Sequence, residues 1–306
     1  MEYHVPVMVA EVIRWLVKEA TGIYLDATAG GGGHCRAILA ALRGEGRLIA
    51  IDRDPEAVRE TLRNLAEFGD RVSVLQGSFV QLKELMDSQR VEGVNGVLFD
   101  LGVSSRQIDE PERGFSYREE GPLDMRMDSE KGIKASEWID RATEGELVQV
   151  IREYGEERHA RRIGRAICRL RMERPLETTD DLRQVVESTH PQMPNKTLAR
   201  VFQAFRIAVN DELGQLDRGL EGAIDLLLPG GRLVTMAYHS LEDRLIKQKM
   251  AALIRGCICP PEIPVCVCGR EPTFKKANRR PSRAGADEVQ RNRRARSAIL
   301  RVYEKL

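Results

Sequence analysis

No apolar run in the chain approaches the roughly 18 residues that a membrane-spanning helix requires. The opening Met1-Glu2-Tyr3-His4 is polar and acidic, unlike a secretory leader. Six cysteines are present, but Cys35 and Cys168 stand alone and the other four crowd near the C-terminus. That distribution excludes the spread framework of a secreted disulfide protein and fits a reducing compartment. A net charge of only +1 rules out a strongly basic or acidic chain as a whole, and no internal repeat indicates a solenoid. These absences predict a soluble, unexported, cytoplasmic protein.

What is present begins with length. With 306 residues, 42% of them hydrophobic, the chain can bury the core of one large domain, or of a domain carrying an insertion. The near-zero total also conceals local surfaces. Arg158, Arg161, Arg162, Arg165, Arg169 and Arg171 fall in one short stretch, and the tail carries Lys275, Lys276, Arg279, Arg280, Arg283, Arg291, Arg293, Arg294 and Arg296 with few acids between them. Taken together, the two clusters favour a polyanionic partner over solvated faces.

The most informative segment is Asp26-Ala27-Thr28-Ala29-Gly30-Gly31-Gly32-Gly33-His34, which closes the apolar run Ile23-Tyr24-Leu25. It reads as strand, glycine turn and helix start. Twenty residues after Gly32, Asp52 ends a second apolar run, Leu48-Ile49-Ala50-Ile51. Backbone without side chains lets a nucleoside-bearing ligand approach closely, and a carboxylate at the next strand's tip can hold ribose hydroxyls. The pattern predicts a nucleoside cofactor.

Periodicity supplies the organisation. Val9, Val12, Ile13, Leu16, Val17 and Ala20 recur at helical spacing. Strands are predicted at Ile23–Asp26, Arg47–Asp52, Val72–Gln76, Gly96–Asp100 and Arg232–Tyr238, with helices at His34–Leu42, Pro55–Glu67 and Val80–Asp87 between the early ones. Such alternation predicts a parallel, doubly wound sheet that binds ligands at the carboxyl ends of its strands. More than a hundred residues separate Asp100 from the fifth strand, far beyond an ordinary connection. Helical segments occupy that gap at Ala135–Ala142, Glu144–Tyr154, Arg158–Arg171, Thr179–Ser188 and Lys196–Asp211, and the last can run straight into the helix leading to Leu228. Residues 106–207 are therefore expected to form an all-helical insertion beside the strand tips, interrupting a domain made of 1–105 and 208–306. Leu228-Pro229-Gly230-Gly231-Arg232 is read as a turn into the sheet, and Ala298–Tyr303 as a final strand.

Several separated motifs carry a resemblance. His4-Val5-Pro6-Val7, Gly32-Gly33-His34, the run Asp100 to Gln107, Arg113-Gly114-Phe115-Ser116, the run Gly121 to Asp128, the run Phe205 to Leu213 and His239-Ser240-Leu241-Glu242-Asp243-Arg244 resemble, in order and over nearly the whole chain, the MraW/RsmH family. Two departures are local: Gly31 stands where arginine is usual, and Asn292-Arg293-Arg294 lacks the proline of an Asn-Pro-Arg run. The resemblance implies a class I (Rossmann-like) methyltransferase fold with an antiparallel final strand. It implies transfer of a methyl group from S-adenosylmethionine to N4 of one cytidine in the decoding region of 16S ribosomal RNA. The partner would be that RNA or the small ribosomal subunit, with no membrane involved, whereas monomer and homodimer are equally compatible with the sequence.

The resemblance also implies cofactor contacts at Gly32, Gly33, His34, Asp52, Phe79, Asp100 and Gln107. Phe79 offers a flat face for adenine, and Asp52 takes the ribose; Asp54 is better placed than Asp52 to cap the helix starting at Pro55. Cytosine N4 is a poor nucleophile because its lone pair is delocalised, so positioning and an acceptor for its proton are both required. Asp100 is the first candidate for amino-group contact, and Asp124, Asn210 and His239 are second-rank candidates. A flipped or single-stranded base is expected, its backbone gripped by Arg161, Arg162, Arg165 and Arg169.

Cys257-Ile258-Cys259 and Cys266-Val267-Cys268 leave two readings open. Four thiolates can close a structural zinc site, although C-x-C pairs are less common than C-x-x-C; otherwise they are free thiols in a proline-stiffened loop. A nicotinamide dehydrogenase would need a second half-sheet like the first. An idle RNA-binding assembly factor would not need intact cofactor motifs.

Overall fold

The computed structural model describes residues 6–257, 259–260, 265 and 267–306. The chain divides into two compact units, Met1–Gly102 with Leu213–Leu306, and Val103–Glu212. The first opens with α1 (Val9–Leu16) and alternates β1 (Ile23–Asp26), α2 (Gly33–Ala41), β2 (Arg47–Asp52), α3 (Pro55–Asn64), β3 (Val72–Gln76), α4 (Leu82–Ser88) and β4 (Val94–Asp100). The second unit follows with α5 (Ser105–Asp109), α6 (Ala135–Arg141), α7 (Glu144–Glu153), α8 (Ala160–Glu173), α9 (Thr179–Ser188) and α10 (Pro194–Asn210). The chain then returns through α11 (Glu212–Leu226), β5 (Leu227–Ala237), α12 (Ser240–Arg255), β6 (Phe274–Lys276), α13 (Ala286–Arg291) and β7 (Ile299–Lys305).

The seven strands form one sheet in the order β3-β2-β1-β4-β5-β7-β6. The first five are parallel, and β7 runs antiparallel to both of its neighbours. Residues alternate between the two faces, and both faces are covered, which is why these strands are nearly continuous apolar runs. Leu25, Ile49, Ile51, Val97 and Phe99 pack with Leu82 and Met86 of α4, Leu216 and Leu220 of α11, and Ile246 and Met250 of α12. Tyr24, Leu48, Ala50, Leu98, Val234 and Met236 pack with Val12 and Leu16 of α1 and with Ile38 and Leu39 of α2. The helix after β1 thus lies on one face, whereas those before β4 and β5 lie on the other. Strand order reverses between β1 and β4, and such a reversal opens a crevice beyond the strand tips.

The second unit is helical and has its own core, including Met125, Ile139, Leu147, Ile151, Ile163, Ile167, Val186, Val201 and Phe205. Local chemistry sets its helix starts. Thr143 with Glu146 and Thr178 with Asp181 form reciprocal caps, and Pro194 occupies the first turn of α10.

Three details differ from the sequence reading. Asp211 takes a left-handed conformation (φ 48°) and caps α10, so α10 and α11 are separate helices. β5 begins at Leu227, which pairs with Val94; the ladder resumes at Arg232 opposite Gly96, leaving Leu228–Gly231 as an irregularity inside the strand. The basic tail holds α13 and a seventh strand, β6, paired to β7.

Candidate functional site

The site is built on the tips of β1, β2 and β4. Asp26 ends β1 opposite Ala50 and Leu98, so Asp52 and Asp100 extend two residues further on either side. The segment between β1 and α2 is stitched to both neighbours: the Ala27 amide donates to the Leu98 carbonyl at 3.0 Å, and the Ala29 amide to the Ile51 carbonyl at 2.9 Å. Gly30 (φ 54°) and Gly32 (φ 81°) then turn the chain into α2 through left-handed conformations. A Cβ on Gly30 would meet nothing nearer than the Thr28 carbonyl at 4.0 Å, so this turn borders open space. Gly33 is glycine for another reason: its Cβ would sit 2.9 Å from Pro6 Cγ.

Asp52 holds this turn from the β2 side. Its Oδ2 accepts from the Gly30 amide at 2.7 Å and its Oδ1 from the Asp54 amide at 2.9 Å. Burial pushes its pKa up to about 6, against the lowering effect of those two amides. Asp54, not Asp52, caps α3 by accepting from the Glu56 amide.

On the other side, His34, Asp100 and Tyr238 form a buried network. His34 Nε2 lies 2.9 Å from the Val7 carbonyl and Nδ1 lies 3.3 Å from Asp100 Oδ2. Both ring nitrogens face acceptors, so only the doubly protonated ring satisfies both. Burial opposes that charge, but the Asp100 hydrogen bond and the charges of Asp100 and Asp26 outweigh it and raise the His34 pKa. The Tyr238 hydroxyl donates to Asp100 Oδ1 at 2.8 Å; burial and the Asp100 charge push its own pKa far up, keeping it a donor. The Asp100 amide in turn donates to Thr28 Oγ1 at 2.7 Å. Asp26 accepts from the Thr28 amide at 3.0 Å and from Cys35 Sγ at 3.2 Å. Burial and the Asp26 charge hold the Cys35 thiol well above its usual range.

Two further sequence candidates lie in the same unit. Phe79 opens the short turn after β3, sits edge-to-face on Phe99 at 5.5 Å, and presses so close to Gly219 that a Cβ there would lie 2.4 Å from its ring. His239 caps α12: its Nδ1 accepts from the Glu242 amide at 3.4 Å, while its buried Nε2 lies 3.1 Å from Glu242 Oε1. Gln107, Asp124 and Asn210 belong to the second unit. Gln107 and Ser104 cap α5 reciprocally. Asp124 holds Arg126 through Nε and Nη2 at 2.8 and 2.7 Å. Buried Asn210 donates to the Met125 and Arg206 carbonyls and accepts from the Met127 amide, clamping a segment in which Met125 has φ 60°.

The sequence reading did not single out Asp26, Thr28 or Tyr238 as site residues. Asp26 and Thr28 carried a usable signal, since polar residues between an apolar strand and a glycine turn need partners there; Tyr238 carried none, because an aromatic residue ending a strand reads as core.

On α8, Ala160, Ile163 and Ile167 are buried while Arg161, Arg162, Arg165 and Arg169 are exposed, with Arg165 3.3 Å from Glu144. Arg171 instead donates to the Ile139, Asp140 and Ala142 carbonyls and closes α6. Most tail cations are exposed, Lys275 being paired with Glu304 at 2.9 Å.

The MraW methylase family model matches residues 1–306. The chain is 46% identical over 308 residues to ribosomal RNA small subunit methyltransferase H of Symbiobacterium thermophilum, covering 99% of this chain and 97% of the relative. It is 47% identical over 310 residues to the protein of the same name from Pelobacter propionicus, covering 99% and 98%. Among solved structures, an rRNA methylase from Streptococcus thermophilus aligns with TM-score 0.42 at 13% identity, covering 97% of this chain and 93% of that one.

Proposed function

The chain belongs to the MraW methylase family, and from that premise we propose that it methylates N4 of one cytidine in the decoding region of 16S ribosomal RNA, acting in the cytoplasm on RNA or on small ribosomal subunits. The fold is that of a class I methyltransferase, and the methyl donor is S-adenosylmethionine. The observation that carries the reading is the turn after β1, where side-chain-free backbone borders open space beside the Asp52 carboxylate at the tip of β2. Relatives that match nearly end to end and are named small-subunit rRNA methyltransferases support the substrate class.

When bound, S-adenosylmethionine supplies a methyl group on a positively charged sulfur. The protein's residues do the rest. Asp52 accepts the ribose hydroxyls, Gly30 to Gly33 leave room for the amino-acid part, and the free amides opening α2 favour its carboxylate. Phe79 flanks the adenine, with Gln107 also assigned to the cofactor. Asp100, fixed by Tyr238 and facing His34, keeps lone pairs for the cytosine amino group. With the donor supplying the methyl group, Asp100 would hold the cytosine amino group and take up the proton that N4 gives up on methylation. His239, Asp124 and Asn210 are second-rank candidates for contact with the base. The helical unit grips the RNA backbone through Arg161, Arg162, Arg165 and Arg169, whose exposure fits contacts to phosphates. Among the described residues no helix is long and apolar enough to cross a membrane.

The test is transfer of labelled methyl to ribosomal particles at successive assembly stages, followed by mapping of the modified nucleoside. N4-methylcytidine at a single position is expected. Label on another atom, or no transfer to any particle, contradicts the proposal.

A further inference from the structure

The loop between α12 and β6 is separate from the strand-tip crevice, and its chemistry is unused by methyl transfer. Its two ends are pinned together. The Thr273 amide donates to the Leu253 carbonyl at 3.0 Å, and Gly256 (φ 66°) packs so tightly that a Cβ would lie 2.4 Å from the Glu271 carbonyl carbon and 2.5 Å from Pro272 N. Beyond that base the described residues have little apolar cover: Val265 and Val267 are 71% and 77% exposed. A loop without a core needs another staple.

Three thiols converge there. The Sγ atoms of Cys257, Cys259 and Cys268 all lie within 4.8 Å of one another, and Cys257 and Cys268 are 3.8 Å apart. Zinc–thiolate bonds of about 2.3 Å in a tetrahedron place sulfurs about 3.8 Å apart, whereas a disulfide requires about 2.0 Å. The Val267 amide also donates to Cys259 Sγ at 3.4 Å. The C-x-C spacing is no obstacle, because the Cys257 and Cys259 sulfurs already lie within 4.8 Å of one another. Cys266, the remaining cysteine of the pattern, lies outside the described residues.

We propose that Cys257, Cys259 and Cys268 bind one structural zinc ion, with a fourth donor completing the tetrahedron, and that this ion holds the α12–β6 loop in place. Each thiol loses its proton to solvent on binding, and no redox step is involved. Zinc is favoured over harder cations because the donors are all sulfur.

The test uses the full chain purified under reducing conditions without chelator. Elemental analysis is expected to give one zinc per chain, and release by a thiol-blocking mercurial should be stoichiometric. Cobalt(II) substitution of the unmodified chain should produce a sulfur-to-cobalt charge-transfer band and intense tetrahedral ligand-field bands, which does not depend on any variant folding. Cys257→Ser, Cys259→Ser and Cys268→Ser should each weaken zinc retention at least tenfold in competition with a chromophoric chelator. Absence of stoichiometric zinc even after reconstitution, a cobalt spectrum lacking thiolate bands, or a Cys257–Cys268 disulfide in the reduced preparation would overturn the assignment.

Discussion

Asp52 should make donor binding depend on pH in a defined direction. In the ligand-free protein burial raises its pKa from the ordinary 3.8 to about 6. The raised value means that this group's contribution to stability is present below pH 3.8 and is lost as pH rises through about 6. Ribose binding has the opposite sign, because two hydroxyl donors require the ionised form. If only that form binds, affinity is reduced by the protonated fraction, so the dissociation constant at pH 5 should be about tenfold above that at pH 7. Asp52→Asn removes one ribose acceptor and the charge; hydrogen bonds to a charged group contribute about 1.5–3 kcal/mol, so affinity should fall about 10- to 150-fold and lose its acid dependence. Isothermal titration with S-adenosylhomocysteine from pH 5 to 8 measures both effects. A flat profile for the unmodified protein, or an Asp52→Asn variant of unchanged affinity, would refute the assignment of Asp52 to the ribose.

Other consequences follow from the same geometry. Tyr238→Phe removes the donor to Asp100 and should lower stability to urea by about 1–3 kcal/mol; an unchanged midpoint would show that the network contributes nothing. Gly32→Ala places a side chain at φ 81°, 3.4 Å from Thr61 Cγ2, and should cost about 1–2 kcal/mol in the same assay; a neutral outcome would mean that the turn relaxes freely. Replacing Arg161, Arg165 and Arg169 together by alanine should leave donor affinity intact while reducing the slope of log affinity for RNA against log salt by about 0.7–0.9 per lost phosphate contact. An unchanged slope returns α8 to the role of a solvated face.

The parallel strands are legible in the sequence because burial on both faces leaves unbroken apolar runs such as Leu48-Ile49-Ala50-Ile51, and their polar ends mark the tips. The cap at Asp54 is legible for the same local reason, its spacing to Pro55. β6 is not, because Phe274-Lys275-Lys276 is one apolar residue and two cations whose strand geometry comes from pairing with β7 and from burial of Phe274 in the core. The break at Asp211 depends on a left-handed conformation that aspartate visits only occasionally, so its identity does not announce the break, and Pro229-Gly230-Gly231 looks like a turn although the ladder resumes beyond it. In the site, the glycine turn and Asp52 could be placed from spacing alone. The partners of Asp100 could not, since His34 reaches it from the first turn of α2 and Tyr238 from just beyond β5, and only the fold makes them neighbours. Nor does sequence reveal that Asn210 and Gln107 already serve local backbone groups.

The central claim is that the tips of β1, β2 and β4 hold the methyl donor. A crystal structure of the protein with S-adenosylhomocysteine tests it most directly: the ribose hydroxyls should lie on the Asp52 carboxylate and the amino-acid part beside Gly30 to Gly33. A ligand bound elsewhere, or a crevice filled by the protein's own side chains, would contradict it.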